Sequence, residues 1–113
     1  MVELDFIERM TLILEDLLPK DYFSIEQLEK ICTAAYHHFP KSGTPIVPLG
    51  ENLATAELFH GPSASFKDYA LQLFPHVLRG CQVSEVVPAT MILAATSGDT
   101  GGALLSGNLF KKL

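Results

Sequence analysis

The sequence predicts an α/β chain: a helical hairpin over residues 1–43, followed over residues 44–113 by part of a parallel-sheet domain. Three observations lead there. Apolar residues recur at helical steps through residues 3–18 and again from Ile25 to Phe39. Two short apolar runs, Ala54–Phe59 and Met91–Ala95, each lead into a polar turn and then into a further helical pattern. Two consecutive strand-turn-helix units imply parallel strands joined by a right-handed crossover, with both turns on the carboxyl edge of one sheet.

The first helix is carried by Leu4, Ile7, Met10, Thr11, Leu14, Leu17 and Leu18, and Pro19 stops it. Its acidic residues Glu3, Asp5, Glu8, Glu15 and Asp16 read as a solvated face. Ser24 and Gln27 have capping-box spacing and open the second helix, whose apolar stripe is Ile25, Leu28, Ile31, Cys32 and Ala35. Pro40 and Gly43 close it. His37 and His38 lie at its C-terminal end, where an imidazolium suits the helix dipole; adjacent helical residues point about 100° apart, a poor arrangement for sharing a metal. No metal site is expected.

Thr44 to Leu49 is extended, because Pro45 and Pro48 bias their predecessors away from helix, and Pro48 restricts it to a sheet edge or a covering segment. Gly50-Glu51-Asn52 turns the chain into the first apolar run. That run is short and apolar like a buried strand, and Gly61-Pro62 punctuates it. Phe66, Tyr69, Ala70, Leu73, Phe74, Val77 and Leu78 then mark a helix, with Ser63 and Ser65 as N-cap candidates and a kink or break near Leu73 ahead of Pro75. His60 either meets a ligand or holds this turn by a hydrogen bond, and His76 reads as surface. Gln82–Ala89 is a polar, β-branched connector. Met91–Ala95 is continuous, as a strand covered on both faces would be, and Ala103, Leu104, Leu105 and Leu109 follow in helical spacing towards a Lys111-Lys112 end.

Lys67 and the loop Thr96–Gly102 carry the chemistry. Lys67 falls in the first turn of a helix, where the macrodipole disfavours a cation. Partial burial there favours the neutral amine that Schiff-base chemistry needs; the plainer alternative is a lysine that snorkels and pairs with Asp68 or Glu57. The loop Thr96-Ser97-Gly98-Asp99-Thr100-Gly101-Gly102 offers hydroxyls and backbone N–H groups at a helix start, a cup for a carboxylate or phosphate, or else an ordinary capped turn. A Walker-type loop does not fit, because no lysine follows the glycines, and the dinucleotide pattern G-x-G-x-x-G is absent.

At 113 residues this is one domain or part of one, and 48% apolar residues is high for so small a body. The surplus fits a fragment whose faces meet something larger. A net charge of −5 disfavours nucleic acid. No apolar run approaches a membrane span, and Glu3 and Asp5 stand where a signal peptide needs basic residues. Cys32 and Cys81 lack C-x-x-C spacing and read as reduced, buried or half-buried thiols, which places the protein inside the cell, in cytoplasm or mitochondrial matrix.

HGPSASFKD at residues 60–68 and ATSGDTG at 95–101 resemble the two N-terminal motifs of threonine synthases, in the tryptophan synthase β-like group (fold type II) of pyridoxal-phosphate enzymes. Over the longer stretches LFHGPSASFKDYALQLFPHVL and MILAATSGDTGGALLSG the sequence resembles vertebrate threonine synthase-like proteins. The resemblance implies that Lys67 holds pyridoxal phosphate as a Schiff base, that Asp99 stands near the cofactor's ring hydroxyl, and that Ser97, Gly98 and Thr100 hold the substrate carboxylate. It also implies a small phosphorylated amino acid such as O-phosphohomoserine as substrate, with elimination of phosphate. Ser63 stands where the family more often has threonine, and the hydroxyl is kept. The family's later Gly-Asn-rich loop, which cups the cofactor phosphate, has no counterpart here. The chain is therefore expected to be an N-terminal portion, inactive alone; the alternative is a non-catalytic module of the same lineage that associates with itself or another protein through exposed apolar faces.

Overall fold

The computed structural model describes residues 4–81 and 91–107. The expected connector Gln82–Ala89, and the helix end at Leu109 with its Lys111-Lys112 tail, lie outside the described residues. Helix α1 is Phe6–Leu17 and ends just ahead of Pro19. Asp5 and Glu8, expected only to face solvent, form a reciprocal capping box. The Asp5 carboxylate accepts the Glu8 N–H at 2.9 Å, and the Glu8 carboxylate accepts the Asp5 N–H at 2.7 Å. Helix α2 is Ile25–Tyr36, opened by the Ser24–Gln27 box and closed at His37. The imidazole Nδ1 of His37 meets the Ala34 carbonyl at 2.9 Å, the capping role expected for it.

α1 and α2 pack on one another and bury Leu14, Phe23, Leu28, Cys32, Ala35, Tyr36 and Phe39. The pattern that predicts the helices is also what builds the core, because the i, i+3, i+4, i+7 positions share one face. Helix α3 (Asp68–Leu71) and helix α4 (Phe74–Cys81) bring Tyr69, Leu73 and Val77 onto the same core. Gln72-Leu73 separates the two helices ahead of Pro75, whose ring clashes with a continued helix.

Aromatic rings join the hairpin to α3. Phe6 meets Tyr36 edge-on at 5.0 Å between centroids, Tyr36 meets Phe39 at 5.3 Å, and Phe39 meets Tyr69 at 4.9 Å. Such pairs contribute about 0.5–1.5 kcal/mol each beyond burial. Their hydroxyls are satisfied: Tyr36 donates to the Tyr69 carbonyl at 2.6 Å and Tyr69 to the Gly43 carbonyl at 2.8 Å.

The strands depart from expectation. β1 (Ile46–Gly50) and β2 (Leu53–Ala56) form a two-stranded antiparallel hairpin, with Ile46 opposite Ala56 and Val47 opposite Thr55. Pro48 sits in a strand with one open edge, as its missing N–H requires. The expected strand at 54–59 is thus shifted and paired with the preceding segment, while Met91–Ala95 has no regular structure. Among the described residues there is no parallel sheet. The reason is burial: a parallel strand needs cover on both faces, yet Leu53 is 63% exposed, Met91 80% and Leu93 87%. A tight hairpin satisfies the backbone of residues 46–56 without any cover. Helix α5 (Asp99–Ser106) follows as expected.

Cys32 is fully buried and Cys81 exposed, so the expectation of burial holds for the first thiol only. No described helix is long and apolar enough to cross a membrane.

Candidate functional site

The turn leading to Lys67 is held from within. His60 Nε2 lies 2.7 Å from the Glu57 carboxylate, and the Phe59 and His60 rings stack with centroids 4.8 Å apart. Of the two roles open to His60, the structure shows the turn-holding one.

The centre of the turn is Asp68, a carboxylate with no exposed surface. Burying a charge costs several kcal/mol unless it is hydrogen-bonded. Here the Ser63 N–H donates to Oδ2 at 2.8 Å, the Ser63 hydroxyl donates to Oδ1 at 2.8 Å, and the Gln72 amide donates to Oδ1 at 3.1 Å. Gly61 lies directly over that carboxylate, and a Cβ at residue 61 would collide with the Asp68 side chain. The glycine of the motif is required by this close approach. Ala64 adopts φ 57°, a left-handed conformation uncommon outside glycine.

Lys67 is the residue that opens α3, half-buried, with its N–H directed at the Ser65 hydroxyl at 3.3 Å. Ser63 and Ser65, expected as side-chain caps of this helix, brace the turn that precedes it instead: Ser65 N–H donates to Ser63 Oγ at 3.3 Å. Lys67 Nζ stands 5.8 Å from the centroid of the Phe66 ring, near the limit of a cation–π contact. The plainer pairing with Asp68 or Glu57 is not formed. Asp68 is committed to Ser63 and Gln72, and Glu57 to His60. Among the described residues, the Lys67 amine has no carboxylate partner.

The second loop is organised by Thr96. Its hydroxyl oxygen accepts the Gly98 N–H at 3.1 Å and the Gly101 N–H at 3.3 Å. Gly98, at φ 143°, opens α5 in a conformation that side chains rarely adopt. Ser97, Gly98 and Asp99 are exposed and Thr100 is half-buried. Among the described residues, the N–H groups of Asp99 and Thr100 at the start of α5 donate to no protein group. They remain open to an anion.

Gln72 joins the lysine turn to α5. It is 7% exposed, and its amide nitrogen reaches Asp68 Oδ1, the Ala103 carbonyl at 3.1 Å and the Ser106 hydroxyl at 3.2 Å. α3, with Lys67 at its start, therefore packs against α5, with Ser97–Thr100 at its start. Sequence reading overlooks both Asp68 and Gln72 as buried polar groups. Their signal is the i, i+4 spacing within an apolar helix.

A further cleft of about 230 Å³ opens between the end of α2, α4 and α5, lined by His37, His38, Gln72, His76 and Ser106 among others. His76 is half-buried rather than a surface residue, and its pKa is lowered by burial first, then by Arg79 and His37. Among the described residues, no cluster of three His, Cys, Asp or Glu could hold a metal ion.

The chain is 43% identical over 106 residues to threonine synthase-like 1 of Macaca fascicularis, covering 90% of this chain and 14% of that protein. It is 34% identical over 104 residues to threonine synthase of Schizosaccharomyces pombe (84% of this chain, 20% of that protein) and 36% identical over 104 residues to threonine synthase of Escherichia coli (92% and 22%). The chain thus spans less than a quarter of the length of these relatives. No family model and no solved structure matches it.

Proposed function

We propose that this chain, which belongs by sequence to the threonine synthase family, supplies the lysine-bearing part of a pyridoxal-phosphate-dependent lyase acting on O-phosphohomoserine or a similar phosphorylated amino acid. The observation that carries this reading is the packing of α3 against α5, which makes neighbours of the helix opened by Lys67 and the helix opened by Ser97–Thr100.

The donor set suits the cofactor. Lys67 offers a half-buried primary amine that neither Asp68 nor Glu57 engages, and this amine would hold pyridoxal phosphate. When bound, the cofactor supplies an electron sink that makes loss of a phosphate group from the substrate feasible. The rest falls to the chain. Ser97, Gly98 and Thr100 would hold the substrate carboxylate, helped by the open N–H groups at the start of α5, and Asp99 would stand near the cofactor's ring hydroxyl. Asp68 and Gly61 fix the turn that carries the lysine.

The parallel sheet of the family would then need strands from elsewhere. The exposed Leu53, Met91 and Leu93 support a face that meets further protein. The same exposure favours a second reading, a non-catalytic module of this lineage that associates through that face.

Titration with pyridoxal phosphate, followed by the cofactor's absorbance, tests the first reading. Lys67→Ala is expected to raise Kd by about tenfold or more, 1.4 kcal/mol per factor of ten. An unchanged Kd removes Lys67 from the role. These 113 residues are expected to release no measurable phosphate from O-phosphohomoserine, because the family's later phosphate-cupping loop has no counterpart among them. Self-association that is abolished by polar substitutions at Met91 and Leu93, with no cofactor binding, would favour the module.

A further inference from the structure

We infer that Gln72 is a positioning residue for Lys67: its buried amide ties the lysine-bearing turn to the start-to-end axis of α5, and so sets the lysine relative to the Ser97–Thr100 loop. The inference rests on the assignment of Lys67 as the cofactor lysine, and it goes further by naming what holds that lysine in place.

The connection is continuous from Ser63 to Ser106. Ser63, in the turn before Lys67, donates from both its N–H and its hydroxyl to the Asp68 carboxylate. Asp68 Oδ1 also takes the Gln72 amide at 3.1 Å. The same amide nitrogen reaches the Ala103 carbonyl at 3.1 Å and Ser106 Oγ at 3.2 Å, both on α5. Ser106 Oγ in turn donates to the Ala103 carbonyl at 2.9 Å. An amide nitrogen carries two hydrogens, so three acceptors share them, and each is oriented by the others.

Chemistry favours glutamine at this point. Asp68 is an acceptor with no exposed surface, the Ala103 carbonyl is an acceptor, and a donor must stand between them. Glutamate would bring a second carboxylate against Asp68; leucine or methionine would leave the Asp68 and Ala103 oxygens short of a donor. Asp68 has no exposed surface, so water is a poor substitute for the Gln72 donor at its carboxylate. Lys67 directly precedes Asp68, so the bonds that pin the Asp68 carboxylate to Ser63 and Gln72 also restrain the backbone that carries the amine.

The test uses the full chain and pyridoxal phosphate itself. Adducts are fixed with borohydride and counted by peptide mass at Lys67 and at the exposed reference lysines Lys20, Lys30 and Lys41. In the wild-type chain Lys67 is expected to be labelled in preference to the references. Gln72→Met keeps length and volume but removes the donor. With an unchanged helical circular dichroism signal, it is expected to lower the Lys67-to-reference ratio about fivefold, the factor one net hydrogen bond is worth. A folded Gln72→Met chain with the wild-type ratio overturns the inference and leaves Lys67 as the cofactor lysine. No preference for Lys67 in the wild-type chain overturns that assignment and this inference with it. If Gln72→Met does not fold, Ser106→Ala decides. It removes one partner at the far end of the bridge, and an unchanged ratio there overturns the inference while a lowered one supports it.

Discussion

The helical region and the strand region of this chain are both rich in apolar residues, yet among the described residues one has a core and the other has none. Leu28 is 1% exposed and Tyr36 2%, whereas Leu53 and Leu49 on the hairpin are each 63% exposed and Leu93 is 87% exposed. The difference lies in where the partner face is found. α1, α2, α3 and α4 each present a stripe to another of these helices, so the area they remove from water is removed within this chain. The runs at 53–56 and 91–95 stay exposed: Ile92 and Ala94 line an open groove with Leu104 and Leu105 of α5, which leaves them uncovered. Lys67 sits between the two regions in sequence, on a turn tied to the start of α3 through Asp68 and, through Gln72, to α5.

The largest effect that could break this contrast is a cavity in the helical core. Leu28→Ala should cost about 2–5 kcal/mol, read as a fall in the urea midpoint at unchanged slope. A loss under 1 kcal/mol would mean that the hairpin core is far looser than its burial implies. Asp68→Ala comes next. It strips the acceptor from Ser63 and Gln72, each left buried or half-buried, for an expected loss of about 1–3 kcal/mol by thermal unfolding. A neutral result would detach the lysine turn from the helical region.

Titration separates the regions more finely. Burial raises the Cys32 thiol above its ordinary value of 9.0, and burial with the Cys32 charge raises the Tyr36 hydroxyl above 10.0. For both groups the unfolded chain gives up its proton first. Their contribution is therefore complete below pH 9 and is lost as pH rises through the folded values, so the helical core should weaken in alkali. His76 is lowered from 6.5 by burial and then by Arg79 and His37, so the unfolded chain gains a proton first on the acid side. Its contribution is present above pH 6.5 and fades as pH falls through the lowered value. Denaturant midpoints measured across pH check both slopes. Cys32→Ala should remove part of the alkaline loss, and His76→Gln should flatten the acid one.

The smallest effect belongs to the hairpin. Leu53→Ser, on a strand exposed along its whole length, should change stability by no more than about 0.5 kcal/mol in the same urea titration. A loss of 2 kcal/mol or more would show that this face is covered in solution.

The contrast also explains what was legible beforehand. Helices α1 and α2, the Ser24–Gln27 box, the stop at Pro19 and the break before Pro75 all follow from chemistry confined to a few neighbouring residues. The extended segment at Thr44–Leu49 and the turn at Gly50–Asn52 were readable for the same reason. The parallel sheet was not. An apolar run such as Met91–Ala95 states that it wants cover on both faces, but not where the cover comes from, and the backbone of residues 46–56 took the local antiparallel pairing instead. At the site, Lys67 and the Ser97–Thr100 loop stood out by residue type. Asp68 and Gln72 did not, because their partners Ser63, Ala103 and Ser106 come together only once α3 lies on α5.

The proposed function turns on Lys67 as the amine that meets pyridoxal phosphate. The direct measurement is the distribution of borohydride-fixed adducts over every lysine, in the wild-type chain and in Lys67→Ala. Label is expected to concentrate on the Lys67 peptide, with no compensating site in the variant. Label spread evenly over Lys20, Lys30, Lys41 and Lys67, unaltered elsewhere by Lys67→Ala, would contradict it.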